Sequence, residues 1–158
     1  MEPVTGYGAI NQLTIRDIAP ADEPAWRRLW ADYLAFYKTT VPDMVTDATW
    51  AKLFDPTSSV FGRVADRDGR MIGFALAREH EGTWTASNSC YLEDLYVDGV
   101  ARGTGAGRAQ LQDLATMARE RGWSRLEWHT SEHNLVARKL YDKFVLADDH
   151  VRYRIKLD

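Results

Sequence analysis

The sequence predicts an α/β protein in which about four helices flank a mixed, mostly antiparallel central sheet. The chain has 158 residues, which is the size of one domain. The predicted order of elements is helices first, then an antiparallel meander, then strand–helix–strand–helix–strand. A glycine-rich turn connects one of the late strands to the helix that follows it. We therefore expect a single domain over residues 13–158, preceded by a flexible leader over residues 1–12.

The first half of the chain is predicted to contain one strand, two helices and a hairpin. Apolar and polar residues alternate over 13–18, as they do in a strand. A helix is expected over 20–37, where tryptophans, leucines and tyrosines recur at helical spacing and form a core stripe. A shorter helix follows over 47–54, and strands over 60–65 and 71–78 enclose a turn rich in Asp and Gly.

The second half continues the sheet. A strand over 89–97 leads into the glycine-rich turn, and the helix that begins there ends near Gly122. A short strand is expected over 124–129, a helix over 134–144 and a closing strand over 151–157.

Charge and composition exclude several classes of function. The chain has 20 Lys and Arg against 23 Asp and Glu, so it lacks the basic excess of a nucleic-acid-binding surface. No stretch approaches the ~20 apolar residues of a membrane span, and no signal peptide is recognised. Cys90 is the only cysteine, which excludes an internal disulfide. We expect a cytoplasmic protein that needs no metal and contacts neither membrane nor nucleic acid.

The glycine-rich turn is typical of a phosphate site. Arg102 precedes glycines at 103, 105 and 107, and glycine lets backbone N–H groups approach a ligand closely. The unpaired N–H groups and dipole at a helix start favour an anion. A nucleotide P-loop would need Gly-Lys-Ser/Thr where Gly107-Arg108 stands, and a dinucleotide site would need Gly-x-Gly-x-x-Gly early in the chain.

Three segments resemble the GNAT acetyltransferases (Gcn5-related N-acetyltransferases). Arg102-x-x-Gly105-x-Gly107 after a strand resembles the family's coenzyme A signature, Gln/Arg-x-x-Gly-x-Gly/Ala. Residues 91–97 are similar to the segment before that signature in spermidine/spermine acetyltransferases, and 134–144 are similar to the family's last helix. The sequence departs from the family after this helix, because Val145-Leu146 replaces the usual Gly-Phe or Gly-Ala.

This resemblance implies a GNAT-like fold and an acetyl-CoA-dependent N-acetyltransferase. It implies that the donor is bound by the strand before the signature, by the turn and by the last helix. The residues concerned are Leu95, Tyr96, Val97, Arg102, Gly103, Thr104, Gly105, Ala106, Gly107, Arg108, Asn134, Ala137 and Tyr141.

Two catalytic residues follow from the same resemblance. Glu93 would bind the acceptor amine and take its proton, and Tyr141 would protonate the departing thiolate. For Glu93 the alternative is an ion pair with an Arg on a neighbouring strand. Asp94 is expected on the opposite face unless a bulge intervenes. For Tyr141 the alternative is an ordinary core tyrosine, and for Cys90 a nucleophilic role is weighed against that of a small core residue.

The resemblance also indicates a class of acceptor. Glu93 with the aromatic residues Tyr33, Tyr37 and Trp128 would suit a flexible cation such as a polyamine, a diamine or a lysine-like amine. An aminoglycoside, an amino acid, and a protein or peptide amine are the competing acceptors. A non-catalytic acyl-CoA-binding sensor is the alternative outside enzymes. The resemblance further implies a homodimer.

Overall fold

The computed structural model describes residues 11–157. Five strands form one sheet in sequence order, antiparallel throughout except that the last strand runs parallel to its neighbour. The strands are β1 (Leu13–Asp17), β2 (Val60–Arg67), β3 (Arg70–His80), β4 (Ser89–Val97) and β5 (Leu126–Glu127). The helices are α1 (Glu23–Phe36), α2 (Asp43–Lys52), α3 (Ala106–Glu120) and α4 (Leu135–Tyr141). The predicted fold class, a mostly antiparallel mixed sheet with about four helices, is therefore confirmed.

The chain divides into two compact units, one ending at Trp128 and the other beginning at His129. The first unit contains the sheet with α1, α2 and α3, and the second contains α4 and the C-terminal segment. The single domain expected over 13–158 stays a prediction. The leader expected over 1–12 falls outside the described residues except for its last two positions.

The hydrophobic core of the first unit lies between α1 and the sheet. Trp26 and Leu29 are completely buried and Trp30 nearly so. The two tryptophan rings stack with centroids 5.3 Å apart, and Trp26 also contacts Phe74 of β3 at 6.4 Å between centroids. The core stripe predicted for this helix is confirmed, because its aromatic face covers β3.

Several predicted boundaries need correction. The second helix begins at Asp43 rather than near residue 47, because Pro42 has the extended backbone of an N-cap and Asp43 places an acid in the first turn. The strand predicted over 124–129 is reduced to Leu126–Glu127, which pair with β4 only at Cys90 and Tyr91. The last helix is also shorter than 134–144, spanning Leu135–Tyr141.

The closing strand predicted over 151–157 is wrong for this chain. Val151, Tyr153, Ile155 and Leu157 do alternate with polar residues, yet all four are largely exposed and no regular structure forms there. An alternating segment becomes a strand only when a neighbouring strand takes its backbone hydrogen bonds.

None of the helices within residues 11–157 combines the length and the apolar character of a membrane span.

Candidate functional site

The end of β4 and the start of α3 form the glycine-rich turn. After Val97 the chain makes one 3-10 turn over Gly99–Ala101, with the Asp98 side chain accepting a hydrogen bond from the Val100 N–H at 3.4 Å. Asp98 is buried, and one of its oxygens lies 3.3 Å from an Arg28 guanidinium nitrogen. The turn is thereby fixed to both β4 and α1 before α3 begins.

Gly103 and Gly105 are required by backbone conformation. Their φ angles are +75° and +90°, a region that residues with a Cβ rarely adopt, and a Cβ at either position would meet nothing within 4 Å. Gly105 is the N-cap of the 15-residue helix α3, and no side chain caps its first turn. The N–H groups at this exposed helix start are therefore available to an anion such as a phosphate.

Two arginines lie against this turn in different ways. The Arg67 guanidinium, from the end of β2, donates a hydrogen bond to the Thr104 carbonyl at 3.2 Å. Its Nε is buried and has no hydrogen-bond partner among residues 11–157. The Arg102 guanidinium instead lies over Phe36 and Tyr96, 4.8 and 5.5 Å from their ring centroids, and its Nε donates to the Val97 carbonyl at 3.3 Å. Arg67 thus adds positive charge at the turn, a contribution that the sequence analysis missed.

The middle of β4 contains a β-bulge. Arg78 of β3 is opposite Tyr91, and Ala77 is opposite Leu92, so an unbroken register would put residue 93 opposite Leu76. The register shifts there, and Asp94 is opposite Leu76 instead. Because directly opposite residues share a face of the sheet and Leu76 belongs to the core under α1, Asp94 lies on the α1 face.

Asp94 is held in that position by α1. The Tyr33 hydroxyl donates a hydrogen bond to Asp94 Oδ1 at 2.8 Å. Burial raises the pKa of Asp94 to about 6, the Tyr33 hydrogen bond lowers it, and the nearby Glu93 charge raises it. The sequence analysis expected Asp94 on the opposite face unless a bulge intervenes, and the bulge is present, so Asp94 lies on the α1 face.

Glu93 is the extra residue of the bulge. Its Oε1 lies 2.8 Å from Arg78 Nε, and both side chains are 42% exposed. The Arg78 guanidinium also lies 5.2 Å from the centroid of the Tyr91 ring. The ion pair with a neighbouring strand, which was the alternative for Glu93, is thus present, while the catalytic role of Glu93 stays a prediction.

Aromatic rings surround the Tyr33–Asp94 hydrogen bond. Tyr33 lies 5.0 Å from Tyr37 and 5.8 Å from Tyr96 between ring centroids. Partial burial raises the pKa of Tyr37, the Asp94 charge raises it further, and the Arg102 charge opposes both. The structure therefore brings Tyr33, Tyr37 and Tyr96 together around Asp94. Trp128, predicted as another wall of the acceptor site, is half-buried just after β5.

The strand segment Leu95–Val97, predicted to bind the donor, lies beyond the two-residue ladder between β4 and β5. It pairs on its other side with Gly73, Phe74 and Ala75 of β3. The β5 side of the segment is where an extended ligand could add hydrogen bonds as a further strand would.

Cys90 lies at the opposite end of β4. It is completely buried, and burial raises the pKa of its thiol to about 12, with the Glu79 charge adding to the effect. A thiol in this state is a poor nucleophile, so the structure favours the interpretation of Cys90 as a small core residue.

The second unit contains Asn134, Ala137 and Tyr141. Asn134 is the N-cap of α4: its side-chain oxygen accepts a hydrogen bond from the Ala137 N–H at 3.3 Å, and its amide nitrogen donates to Thr130 Oγ1 at 3.3 Å. Tyr141 is the last residue of α4 and is half-buried. The cap explains why Asn and Ala occur three residues apart, and their roles toward a ligand stay predictions.

Comparison with protein families and curated sequences agrees with this geometry. The model of the Acetyltransferase (GNAT) family matches residues 21–145. The D-amino-acid N-acetyltransferase HPA3 of Saccharomyces cerevisiae is 35% identical over 146 residues, which is 91% of this chain and 91% of that protein. The mycothiol acetyltransferase of Thermomonospora curvata is 32% identical over 140 residues, covering 82% of this chain and 42% of that protein.

Solved structures show the same fold. The ribosomal-protein-alanine N-acetyltransferase of Brucella melitensis biovar Abortus 2308 matches with a TM-score of 0.78 and 26% identity, over 93% of this chain and 100% of that one. The complex of AAC(6')-Iy with the bisubstrate analog CoA-S-monomethyl-acetylneamine matches with a TM-score of 0.77, over 92% of this chain and 99% of that one. At 20% identity, the second match is evidence of the fold alone.

Proposed function

Because the chain belongs to the GNAT acetyltransferase family, we propose that it transfers the acetyl group of acetyl-CoA directly to the primary amine of a small molecule. The single observation that carries this proposal is the glycine-rich turn, which joins the signature residues Arg102, Gly105 and Gly107 to an uncapped helix start. Acetyl-CoA would supply an activated acyl group, and the residues of the chain would bind it and control the protons of the amine and the thiolate.

The donor would be held mainly by backbone groups. The N–H groups from Gly103 to Arg108 would receive the pyrophosphate, with Arg67 adding positive charge from β2. The backbone of Leu95, Tyr96 and Val97 would pair with the pantetheine arm on the β5 side of β4. In the second unit, the family resemblance assigns donor contacts to Asn134, Ala137 and Tyr141.

The acceptor would lie on the face of β4 where the two acids and the tyrosines are found. A primary ammonium has a pKa near 10.4, so it arrives protonated and is attracted by a carboxylate. Glu93 and Asp94 supply two carboxylates, and Tyr33 and Tyr37 supply aromatic faces that stabilise a cation. This combination supports a polyamine, a diamine or a lysine-like amine as the acceptor.

A free amino acid is a second candidate, favoured by one observation. A relative that is 35% identical over 91% of this chain is named a D-amino-acid N-acetyltransferase. The amine of an amino acid is next to a carboxylate, and Arg78 is a cation on this face, 2.8 Å from Glu93. An amino acid would therefore place its ammonium near the carboxylates and its own carboxylate near Arg78.

Tyr141 would complete the reaction as the acid that protonates the thiolate leaving group. This assignment rests on the family resemblance to the last helix. A non-catalytic acyl-CoA sensor is the alternative to an enzyme, and the two relatives, which are named as acetyltransferases, count against it.

Two measurements on the purified chain test the proposal. Isothermal titration with acetyl-CoA should give a saturable binding curve. Release of the coenzyme A thiol should then require an amine, and it should be measured with spermidine, 1,3-diaminopropane, L-lysine, D- and L-phenylalanine, an aminoglycoside and a peptide. Binding without turnover on every amine would support the sensor, and no binding of acetyl-CoA would overturn the proposal.

A further inference from the structure

Asp94 lies on the face of β4 that is covered by α1, beside the rings of Tyr33, Tyr37 and Tyr96. We propose that Asp94, rather than Glu93, takes the proton from the acceptor ammonium, and that Tyr33 is a positioning residue that holds the Asp94 carboxylate. The inference deepens the proposed function, on which it rests. It assigns the proton acceptor to the residue that the bulge places on the α1 face.

The register of β4 supports this assignment. Without the bulge Glu93 would be opposite Leu76 on the α1 face. The bulge puts Asp94 there instead and leaves Glu93 as the extra residue, paired with Arg78 at 2.8 Å and 42% exposed. Glu93 is therefore already neutralised by a cation, whereas Asp94 has a hydroxyl as its partner.

The surroundings of Asp94 suit a proton acceptor. The groups that face it are Tyr33 and Tyr37 from α1 and Glu93 from its own strand, while Arg78 on β3 pairs with Glu93 and Arg102 lies over the Tyr96 ring. Among residues 11–157 Asp94 forms no ion pair with Arg78 or Arg102, and its side chain keeps partial exposure to solvent. Burial raises the pKa of Asp94 to about 6, closer to neutrality than that of an ordinary carboxylate.

The protons balance in a simple way. One N–H proton of the ammonium passes to the Asp94 carboxylate, and the neutral amine attacks the thioester carbonyl carbon, forming a C–N bond as the C–S bond breaks. The second N–H proton leaves the nitrogen as the amide forms, and the thiolate gains one proton to become a thiol. Asp94 then returns its proton to solvent, so the transfer releases one proton overall.

A purely structural role of Asp94 predicts a different result for the asparagine variant. If Asp94 serves only to accept the Tyr33 hydrogen bond, asparagine should replace it with little loss, because its side-chain oxygen also accepts. If Asp94 takes a proton, asparagine has no basic oxygen and turnover should fall even though the fold is kept.

The matched variants are therefore Asp94→Asn and Glu93→Gln, which make the same change at adjacent positions. Thiol release is measured with spermidine or D-phenylalanine, according to which one the wild type acetylates faster. We expect Asp94→Asn to lower kcat by about 100-fold or more at pH 7, whereas Glu93→Gln should raise KM for the amine and lower kcat by less than about fivefold. The reverse ranking, or an unchanged rate in Asp94→Asn, would overturn the proposal.

The dependence of the turnover rate on pH is a second test, because it would not change if Asp94 had only a structural role. The rate should fall as pH drops through the pKa of Asp94. Tyr33→Phe removes a hydrogen bond that lowers this pKa, so the acid limb should move to higher pH. Glu93→Gln removes a charge that raises it, so the limb should move to lower pH. Identical limbs in all three proteins would exclude Asp94 as the titrating group.

Failure of this inference can be told from failure of the proposed function. A wild type that acetylates an amine, together with an Asp94→Asn variant of equal rate, removes Asp94 and leaves the N-acetyltransferase proposal intact. A wild type that binds acetyl-CoA but acetylates none of the amines overturns both.

Discussion

The glycine-rich turn and the bulged middle of β4 are separated by only a few residues, yet they form their binding surfaces by different means. The turn uses backbone N–H groups, exposed glycines with φ of +75° and +90°, and a helix start. The bulge uses side chains: two carboxylates, an arginine and the tyrosines of α1. A backbone site suits a donor that never changes, whereas a side-chain site can be altered by substitution to suit an acceptor.

The largest effect is expected for a substitution of Gly105, which sets the backbone of the glycine-rich turn. Gly105→Val places a β-branched residue at φ +90°, which strains the turn by about 1–3 kcal/mol and redirects its N–H groups. Affinity for acetyl-CoA measured by titration calorimetry should fall by about 100-fold. Gly82→Val is the matched control, because Gly82 lies in an exposed loop with ordinary φ and open space. Equal affinities in the two variants would refute the idea of a backbone-built donor site.

The next effect concerns chemistry rather than binding. Tyr141→Phe keeps the aromatic ring but removes the hydroxyl proposed to protonate the thiolate. We expect kcat to fall by about 100-fold while the Kd for acetyl-CoA and the thermal midpoint stay unchanged. An unaltered kcat would remove Tyr141 from the mechanism and favour its interpretation as a core tyrosine.

A third prediction concerns stability at the side-chain site. The pKa of Asp94 in the folded protein, about 6, is higher than that of an exposed aspartate, so protonation of Asp94 stabilises the folded state. This stabilisation is fully present below about pH 4 and is lost as the pH rises through 6. Asp94→Asn cannot ionise, and it should therefore exceed the wild type in unfolding free energy by about 1–3 kcal/mol at pH 8. Urea denaturation from pH 4 to 8 measures this, and a difference that does not vary with pH would contradict the raised pKa.

The smallest effect is expected for Arg67, whose contribution to acetyl-CoA binding can be measured. Arg67→Gln removes a cation that donates to the Thr104 carbonyl, and we expect the Kd for acetyl-CoA to rise by about threefold to tenfold. Arg119→Gln, in the last turn of α3 on the exposed surface, is the control and should leave the Kd unchanged. If the two variants bind alike, the donor site depends on backbone groups without help from Arg67.

The turn and the helix start that follows it were predictable from the sequence because they depend on local spacing. Gly103 and Gly105 have the positive φ angles of the turn, and their spacing after a strand is visible in the sequence alone. The core stripe of Trp26, Leu29 and Trp30 was predictable for a similar reason, since its helical period is local.

The acid that faces α1 could not be predicted in this way. Nothing in the run Leu92-Glu93-Asp94 marks the extra residue, because a bulge depends on how β4 pairs with β3 on both sides of it. Arg67 was missed since it meets Thr104 from 37 positions away in the chain. The segment over 151–157 shows the opposite error: its alternation is local, but no strand within residues 11–157 pairs with it.

The bulge at Glu93 also affects how this surface can change in evolution. On one side Ala77 pairs with Leu92, and on the other Phe74 pairs with Tyr96, so deleting residue 93 would join two ladders that are already aligned. Such a deletion keeps Asp94 opposite Leu76 and removes only the residue paired with Arg78. The surface proposed to receive the acceptor can thus gain or lose one side chain by a single-codon insertion or deletion, without any core residue changing face.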